Sequence, residues 1–385
     1  MKLKNNTLYL DAASTQPMAP QVLDVMTPWL LHDFANPASV HPNGLHAREA
    51  LEQARQRCAL YLGCHADELM FTSGGTESNN LVLQGLLKAG DHLIVGETEH
   101  AAVLDVARFL EATRNVEVTY LPVNLDGLYT PEALRAALRP NTALVSLMLA
   151  NNETGVLQPL AALARVCQQA KVPLHSDMVQ SVGKTAVQLH ALGVQYASFS
   201  SHKFGGPRGH GLLFKHHQAP PLTPLLYGGQ QEQGMRSGTV STAHALGCAS
   251  ALELWTPEHR HTLEQRSDAF IERWQAYLSS QQYPQNACLN TPINGKHRIA
   301  GLVNISLPPW LGDQWVNQLG LRGIAIASGS ACHESNLTPS HVLLAMQRSH
   351  AQAGCALRFS FTHHTTPQDL ETVFQTVLKL HQKQL

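Results

Sequence analysis

Residues 45–62, LHAREALEQARQRCALYL, place Leu51, Ala54, Cys58, Tyr61 and Leu62 at helical spacing, and Gly63 follows where a helix C-cap belongs. Downstream, short apolar runs alternate with helical patterns. ELMF (68–71) leads to a helix from about 76, and HLIV (92–95) to one at about 100–112. VEVTYL (116–121) precedes a helix near 131–138, TALVSLMLA (142–150) precedes one at about 159–170, and VPLHS (172–176) follows. Strands and helices taking turns predict βα units around a mainly parallel sheet. Beyond about 256 the rhythm shifts to long polar helices, the strand GLVNISL, a short helix and a terminal helix, which predicts a second, smaller domain.

Composition narrows the range of functions. The chain has 385 residues, 44% of them hydrophobic, enough for an ample core. Net charge is −1 and only 14% of residues are charged, so neither nucleic acid nor an anionic membrane is an expected partner. The start MKLKNNTLYLDAAS lacks a signal-peptide apolar run, and no stretch approaches the ~18 apolar residues of a membrane span; the expected location is cytoplasmic. The seven cysteines (Cys58, Cys64, Cys167, Cys248, Cys288, Cys332, Cys355) are dispersed without a CxxC, against both a disulfide framework and a clustered zinc site. The 22 histidines include the pairs His216-His217 and His363-His364, but HExxH and Cys/His ligand spacings are absent. Most read as surface substitutions, and no metal is expected.

The chemistry gathers where apolar runs end, which is where ligands bind in such sheets. FTSGGTESNNLVLQGL (71–86) passes from strand through a Gly-rich turn into a helix. Unpaired N–H groups at that helix start, backbone access at Gly74 and Gly75, and the Thr76 hydroxyl together make a phosphate cup; an ordinary turn capped by Thr76 fits equally well. Two nucleotide motifs fail on spacing: MVQSVGKT has Met178 where a P-loop needs glycine, and GHGLLF has Phe214 where GxGxxG needs its last glycine. SFSSHKFGGPRGHG (198–211) surrounds Lys203 with hydroxyls, His202 and glycines. Such an amine suits a Schiff base with pyridoxal 5'-phosphate (PLP), against the plainer reading of a surface lysine in a loop. PLP also needs a carboxylate at its ring nitrogen. Asp177 ends VPLHSD, 26 residues before Lys203; Gln180 lies three residues further on, and His100 starts a helix at another strand end. Each is bland singly; together they supply the parts of a PLP site. ASGSACHESN (327–336) carries Cys332 on small residues, a permissive backbone for a thiol that must travel.

The ordered set YLDAASTQP, NPASVHPNGLHAREA, FTSGGTESNN, TEHAAVLD, NNETGVLQ, SDMVQSVGK, SFSSHKFGGPRG, GGQQEQGMRSGT, SGSAC and LRFSF resembles the cysteine desulfurases among the class V, fold-type I PLP enzymes, over almost the whole chain. That resemblance implies an α/β fold with a large PLP-binding domain (15–255) on a mainly parallel seven-stranded sheet. A smaller α+β domain (256–385, with residues 1–14) would carry the catalytic cysteine. The implied activity converts L-cysteine to L-alanine and passes sulfur, as a Cys332 persulfide, to a protein acceptor such as an iron–sulfur scaffold or another sulfur carrier. By the same resemblance Lys203 bonds covalently to PLP, Asp177 pairs with its ring nitrogen and Gln180 with its ring oxygen, and His100 stacks on the ring and moves protons. Gly75, Thr76, Ser200 and His202 bind phosphate, Asn152 and Arg358 hold the substrate carboxylate, and Thr239 reaches the phosphate of a neighbouring subunit, which implies a homodimer.

Departures from the family pattern fall beside the cofactor and substrate. Met178-Val179 stands for Ala-Thr, Ala12-Ala13-Ser14 replaces the usual residues after Asp11, and Gly75 stands where alanine is usual. Selenocysteine lyase, another class V lyase or aminotransferase, and a weakened sulfur-accepting relative are the alternatives. SGSAC favours the desulfurase over other lyases, and a scaffold would need none of Lys203, Asp177, His100 and Cys332.

Overall fold

In the strand His92–Gly96 every residue is buried, as a strand covered on both faces requires. Its side chains alternate between two cores: Leu93 and Val95 pack with Leu144, Leu213 and Met70, while Ile94 packs with Val145, Leu212 and Phe71. The computed structural model describes residues 6–280, 286–328 and 339–383. Within them a seven-stranded sheet runs in the order Leu69–Thr72, Gly211–Lys215, Tyr196–Ser200, Leu174–Asp177, Thr142–Ser146, His92–Gly96, Glu117–Leu121. Gly211–Lys215 is antiparallel to both its neighbours, and the other pairings are parallel. The remaining six strands therefore point their carboxyl ends to one edge. The mainly parallel α/β sheet expected from the sequence is present.

Element boundaries follow local chemistry. The helix Pro42–Leu62 ends at Gly63, whose φ of 68° is the left-handed cap conformation glycine tolerates. The apolar run 142–150 is strand only to Ser146. Two long helices, Pro20–Leu31 and Thr242–Glu253, escaped the periodicity reading. Thr242–Glu253 is buried almost all round, packed against the helices Pro20–Leu31 and Pro42–Leu62, so it has no polar face to betray a period.

A second sheet, wholly antiparallel, orders Ala327–Ser328, Ala356–Ser360, Leu302–Ser306 and Cys288–Leu289. Aromatic packing supports it: Trp274 lies on Phe359 with ring centroids 5.9 Å apart, and Phe270 meets Phe361 edge-on at 6.0 Å. The chain's early residues strap the two regions together. Leu8–Tyr9 pairs in parallel with Ile324–Ala325, and Ala13 N–H donates to Ser360 Oγ at 2.8 Å. A few residues on, Gln16 Nε2 donates to the Lys203 carbonyl at 2.6 Å.

Candidate active site

Strand Leu69–Thr72 turns into the helix Gly75–Leu86 through Gly74, whose φ of 150° with ψ near 180° is open only to glycine. The backbone approach is close on the other side too, because a Cβ on Gly211 would lie 2.5 Å from Gly74 Cα. The turn opens onto a cavity of about 330 Å³ lined by Thr15, Gly74, Gly75, Thr76, Ser200, His202 and Arg208, among others. Four of the sequence-predicted phosphate ligands, Gly75, Thr76, Ser200 and His202, thus share one cavity at a helix start. His202 Nδ1 lies 3.0 Å from Thr15 Oγ1, and burial, reinforced by Lys203 and Arg208, pushes its pKa down to about 4. A neutral imidazole offers a hydrogen bond there without a charge. Arg208 supplies the cation, and sequence reasoning missed it. The available signal was a lone guanidinium in GGPRGHG, directly after Lys203.

Lys203 follows the strand end at Ser200, and its Nζ donates to the carbonyls of Ala13 and Ser14, each at 2.8 Å. Burial, with the Arg358 charge, lowers its pKa to about 8 against the opposing pull of Asp177 and Asp11. An amine so tuned holds more neutral, nucleophilic form near pH 7 than an ordinary lysine. Asp177, buried at the end of its strand, accepts from Asn79 Nδ2 at 2.7 Å and from the Val179 amide at 2.9 Å. Asn79 Oδ1 is itself buried without a partner among the described residues. Gln180 Nε2 donates to the Ala13 carbonyl at 2.8 Å, and its Oε1 accepts from Lys184 Nζ. Lys184 is fully buried, and burial with the charges of Lys203 and Arg358 lowers its pKa to about 7. In the sequence it registered only as the tail of a failed P-loop.

Arg358 sits on the strand Ala356–Ser360, opposite Asn304 and Ala327. Its Nη2 donates to Asp11 Oδ1 at 2.8 Å and Ser14 Oγ at 2.7 Å, and its Nη1 donates to the Asn152 carbonyl at 3.0 Å. The buried Nε–H has no acceptor among the described residues, leaving a donor for an incoming anion. Asn152 is therefore tied to Arg358 through its backbone. His100 is exposed and caps the helix Ala101–Arg114, its Nδ1 accepting from the Ala102 amide at 3.1 Å. The neutral ring's proton then resides on Nε2. Thr239 lies away from this group, on the wall of a separate cavity of about 650 Å³ with Arg48, Arg55 and Gln231. Cys332 lies outside the described residues.

A carboxylate, a tuned amine and an anion cup at the carboxyl ends of parallel strands match the demands of PLP chemistry. The aminotransferase class-V family model matches residues 8–373. The cysteine desulfurase IscS of Dictyoglomus turgidum is 37% identical over 383 residues, covering 98% of this chain and 95% of that protein. A solved NifS-like protein superposes with a TM-score of 0.88 at 30% identity, covering 97% of this chain and 99% of that one. A structure of SspA in complex with cysteine superposes with a TM-score of 0.79 at 32% identity, covering 94% and 100%. The chain belongs to the class-V aminotransferase family, whose members depend on PLP. Within that family it is an enzyme of the cysteine desulfurase type.

Proposed function

We propose that the cavity at Gly74–Thr76 receives the phosphate of PLP, that Lys203 bonds to its aldehyde, and that Cys332 takes sulfur from L-cysteine and hands it to a protein acceptor. The observation that carries this reading is Lys203 itself. Its amine is held by two carbonyls, its pKa is brought to about 8 by burial, and it lies within electrostatic reach of Asp177. The residues fit the group: Gly74 and Gly75 leave room at the helix start, Arg208 and Thr76 face the cavity, and Asn79 steadies the Asp177 carboxylate. When bound, PLP withdraws electrons from the substrate's α-carbon.

The chain's own groups do the rest. Arg358 receives the substrate carboxylate through its unpaired Nε–H, and Asn152, Asp11 and Ser14 fix the guanidinium plane. His100 holds a proton at Nε2 for transfer beside the ring, and Gln180, clamped by Lys184, presents its amide. The Cys332 thiolate attacks the sulfur of bound L-cysteine. The S–S bond forms as the Cβ–S bond breaks, the carbon skeleton takes up a proton and leaves as L-alanine, and the outer sulfur stays on Cys332. An acceptor thiol then attacks that outer sulfur and frees the Cys332 thiolate. The strand Ala327–Ser328 pairs with the Arg358 strand and ends four residues before Cys332, which supports delivery of the thiol to this site. Thr239, on a separate wall, supports a shared site in a homodimer, and the acceptor is an iron–sulfur scaffold or another sulfur carrier.

Substitution of Cys332 tests the reading. Cys332→Ala should bind PLP and L-cysteine yet release almost no sulfide, and alkylated wild type treated with L-cysteine should carry one extra sulfur on the Cys332 peptide. Full turnover of L-cysteine in the variant, with no persulfide at that peptide, overturns it. Activity kept only on selenocysteine would point to a lyase instead.

A further inference from the structure

Away from the PLP region, the fold gathers four imidazoles around one buried carboxylate. Glu68 ends the turn before strand Leu69–Thr72, and its side chain is only 1% exposed. Two backbone amides fix it: His65 N–H donates to Oε2 at 3.0 Å and His217 N–H donates to Oε1 at 3.1 Å. His190 Nε2 lies 2.6 Å from Oε2, with the His65 ring 5.1 Å from the His190 ring. On the other oxygen, His217 Nδ1 lies at 2.9 Å and His216 Nε2 at 3.9 Å. Among the described residues, the ion-pair partners of this carboxylate are His190, His216 and His217.

We propose that His65, Glu68, His190, His216 and His217 form a binding site for a divalent transition-metal ion of the zinc class. Three observations carry it. Within each of the two triads that share Glu68, the ligand atoms lie within 4.8 Å of one another. Zinc holds N and O ligands at about 2.0–2.2 Å, so the imidazoles must shift to admit the ion between themselves and the carboxylate. They have the freedom to do so, since the side chains of His190 and His217 are 37% and 50% exposed while the carboxylate stays anchored. Charge also favours an ion. The rings are gathered around the carboxylate, with the His216–His217 and His190–His216 centroids 4.8 and 5.5 Å apart. A divalent ion uses neutral imidazole lone pairs and gives the buried carboxylate its countercharge.

The cluster stands at the far end of the sheet from the PLP cavity. Leu69–Thr72 begins beside Glu68 and ends at the Gly74 turn, while Gly211–Lys215 begins beside Gly74 and ends at His216. An ion there ties the edge strand, its neighbour and the helix Leu189–Leu192 together, and its role is structural. The sequence hid the set because its three segments lie far apart and match no ligand spacing.

The test uses PLP-loaded enzyme stripped with EDTA and then dialysed against Zn²⁺. Wild type should retain one more ion per chain than His190→Ala/His217→Ala, whose binding should weaken about tenfold or more. Added Zn²⁺ should raise the melting temperature of the wild type and leave that of the double variant unchanged. If the double variant misfolds, judged by PLP absorbance, His217→Gln gives the same comparison at an exposed position. Equal ion content and equal thermal shifts in wild type and variant would overturn the site.

Discussion

A methyl group added at position 75 would lie 2.5 Å from Val179 Cγ2, so the glycine and the valine answer each other. Gly75, where the family pattern has alanine, thus lies directly against Val179, where the pattern has threonine. Gly75→Ala alone should overpack the cofactor turn and cost about 1–3 kcal/mol, visible as a lower melting temperature and faster PLP loss. Adding Val179→Ala should restore most of it; a double variant no better than the single would break the pairing. A second prediction concerns Lys184. Folded, it loses its proton near pH 7, whereas the unfolded chain holds it up to its ordinary value of 10.5. Between those values the unfolded state binds more protons, so the group's destabilising effect is full below pH 7 and relaxes as pH rises. Denaturant unfolding of wild type and Lys184→Met should therefore show the wild type gaining on the variant from about pH 7 to about pH 10. A pH-independent difference would show that the amine does not titrate there.

At the scale of elements, Arg358, carried on its own strand, depends on two others: the segment holding Asp11 and Ser14, and the backbone at Asn152. Arg358→Lys keeps charge but loses the planar fork, so the KM for L-cysteine should rise about tenfold or more while kcat changes less. An unchanged KM would remove Arg358 from substrate binding. This architecture was only partly legible in the chain. Strands buried on both faces announced themselves as apolar runs; glycine-rich motifs at their ends marked Gly75, Thr76 and Lys203, and the end of VPLHSD marked Asp177. Gly211–Lys215 was missed because its apolar run sits in a glycine-rich flank, and Thr242–Glu253 because burial all round erased its period. Asn79, Lys184 and Arg208 lie within marked motifs, but the motifs do not name their partners; folding alone brings Asn79 to Asp177, 98 residues away. The bonds of Arg358 to Asp11 and Ser14 likewise span 347 and 344 residues, a separation that no local pattern encodes.

For the whole molecule, the separation of Thr239 from the Thr76 cavity is the feature that bears on assembly. If a neighbour's Thr239 completes the phosphate site, sedimentation at assay concentrations should show a dimer, and Thr239→Val should weaken PLP retention without loosening the fold. A monomer with full activity and saturated cofactor would contradict this. Among the described residues, no helix is long and apolar enough to cross a membrane.

The strap at residues 8–16 has a further consequence for how the enzyme is made. Ala13 and Ser14 leave the ribosome early, yet the segments that hold their stretch in place, Ile324–Ala325 and Ser360, are translated near the end. A nascent chain already has the sequence of all seven strands of the large sheet once Lys215 has emerged, well before those holding segments exist. Until then the stretch with the two carbonyls that hold the Lys203 amine is tied from the sheet side, by Gln180 on Ala13 and Gln16 on Lys203, without its later-made partners. If Lys203 is the cofactor lysine proposed above, its amine reaches its final setting only late in synthesis, once Ile324–Ala325 and Ser360 exist to complete the strap.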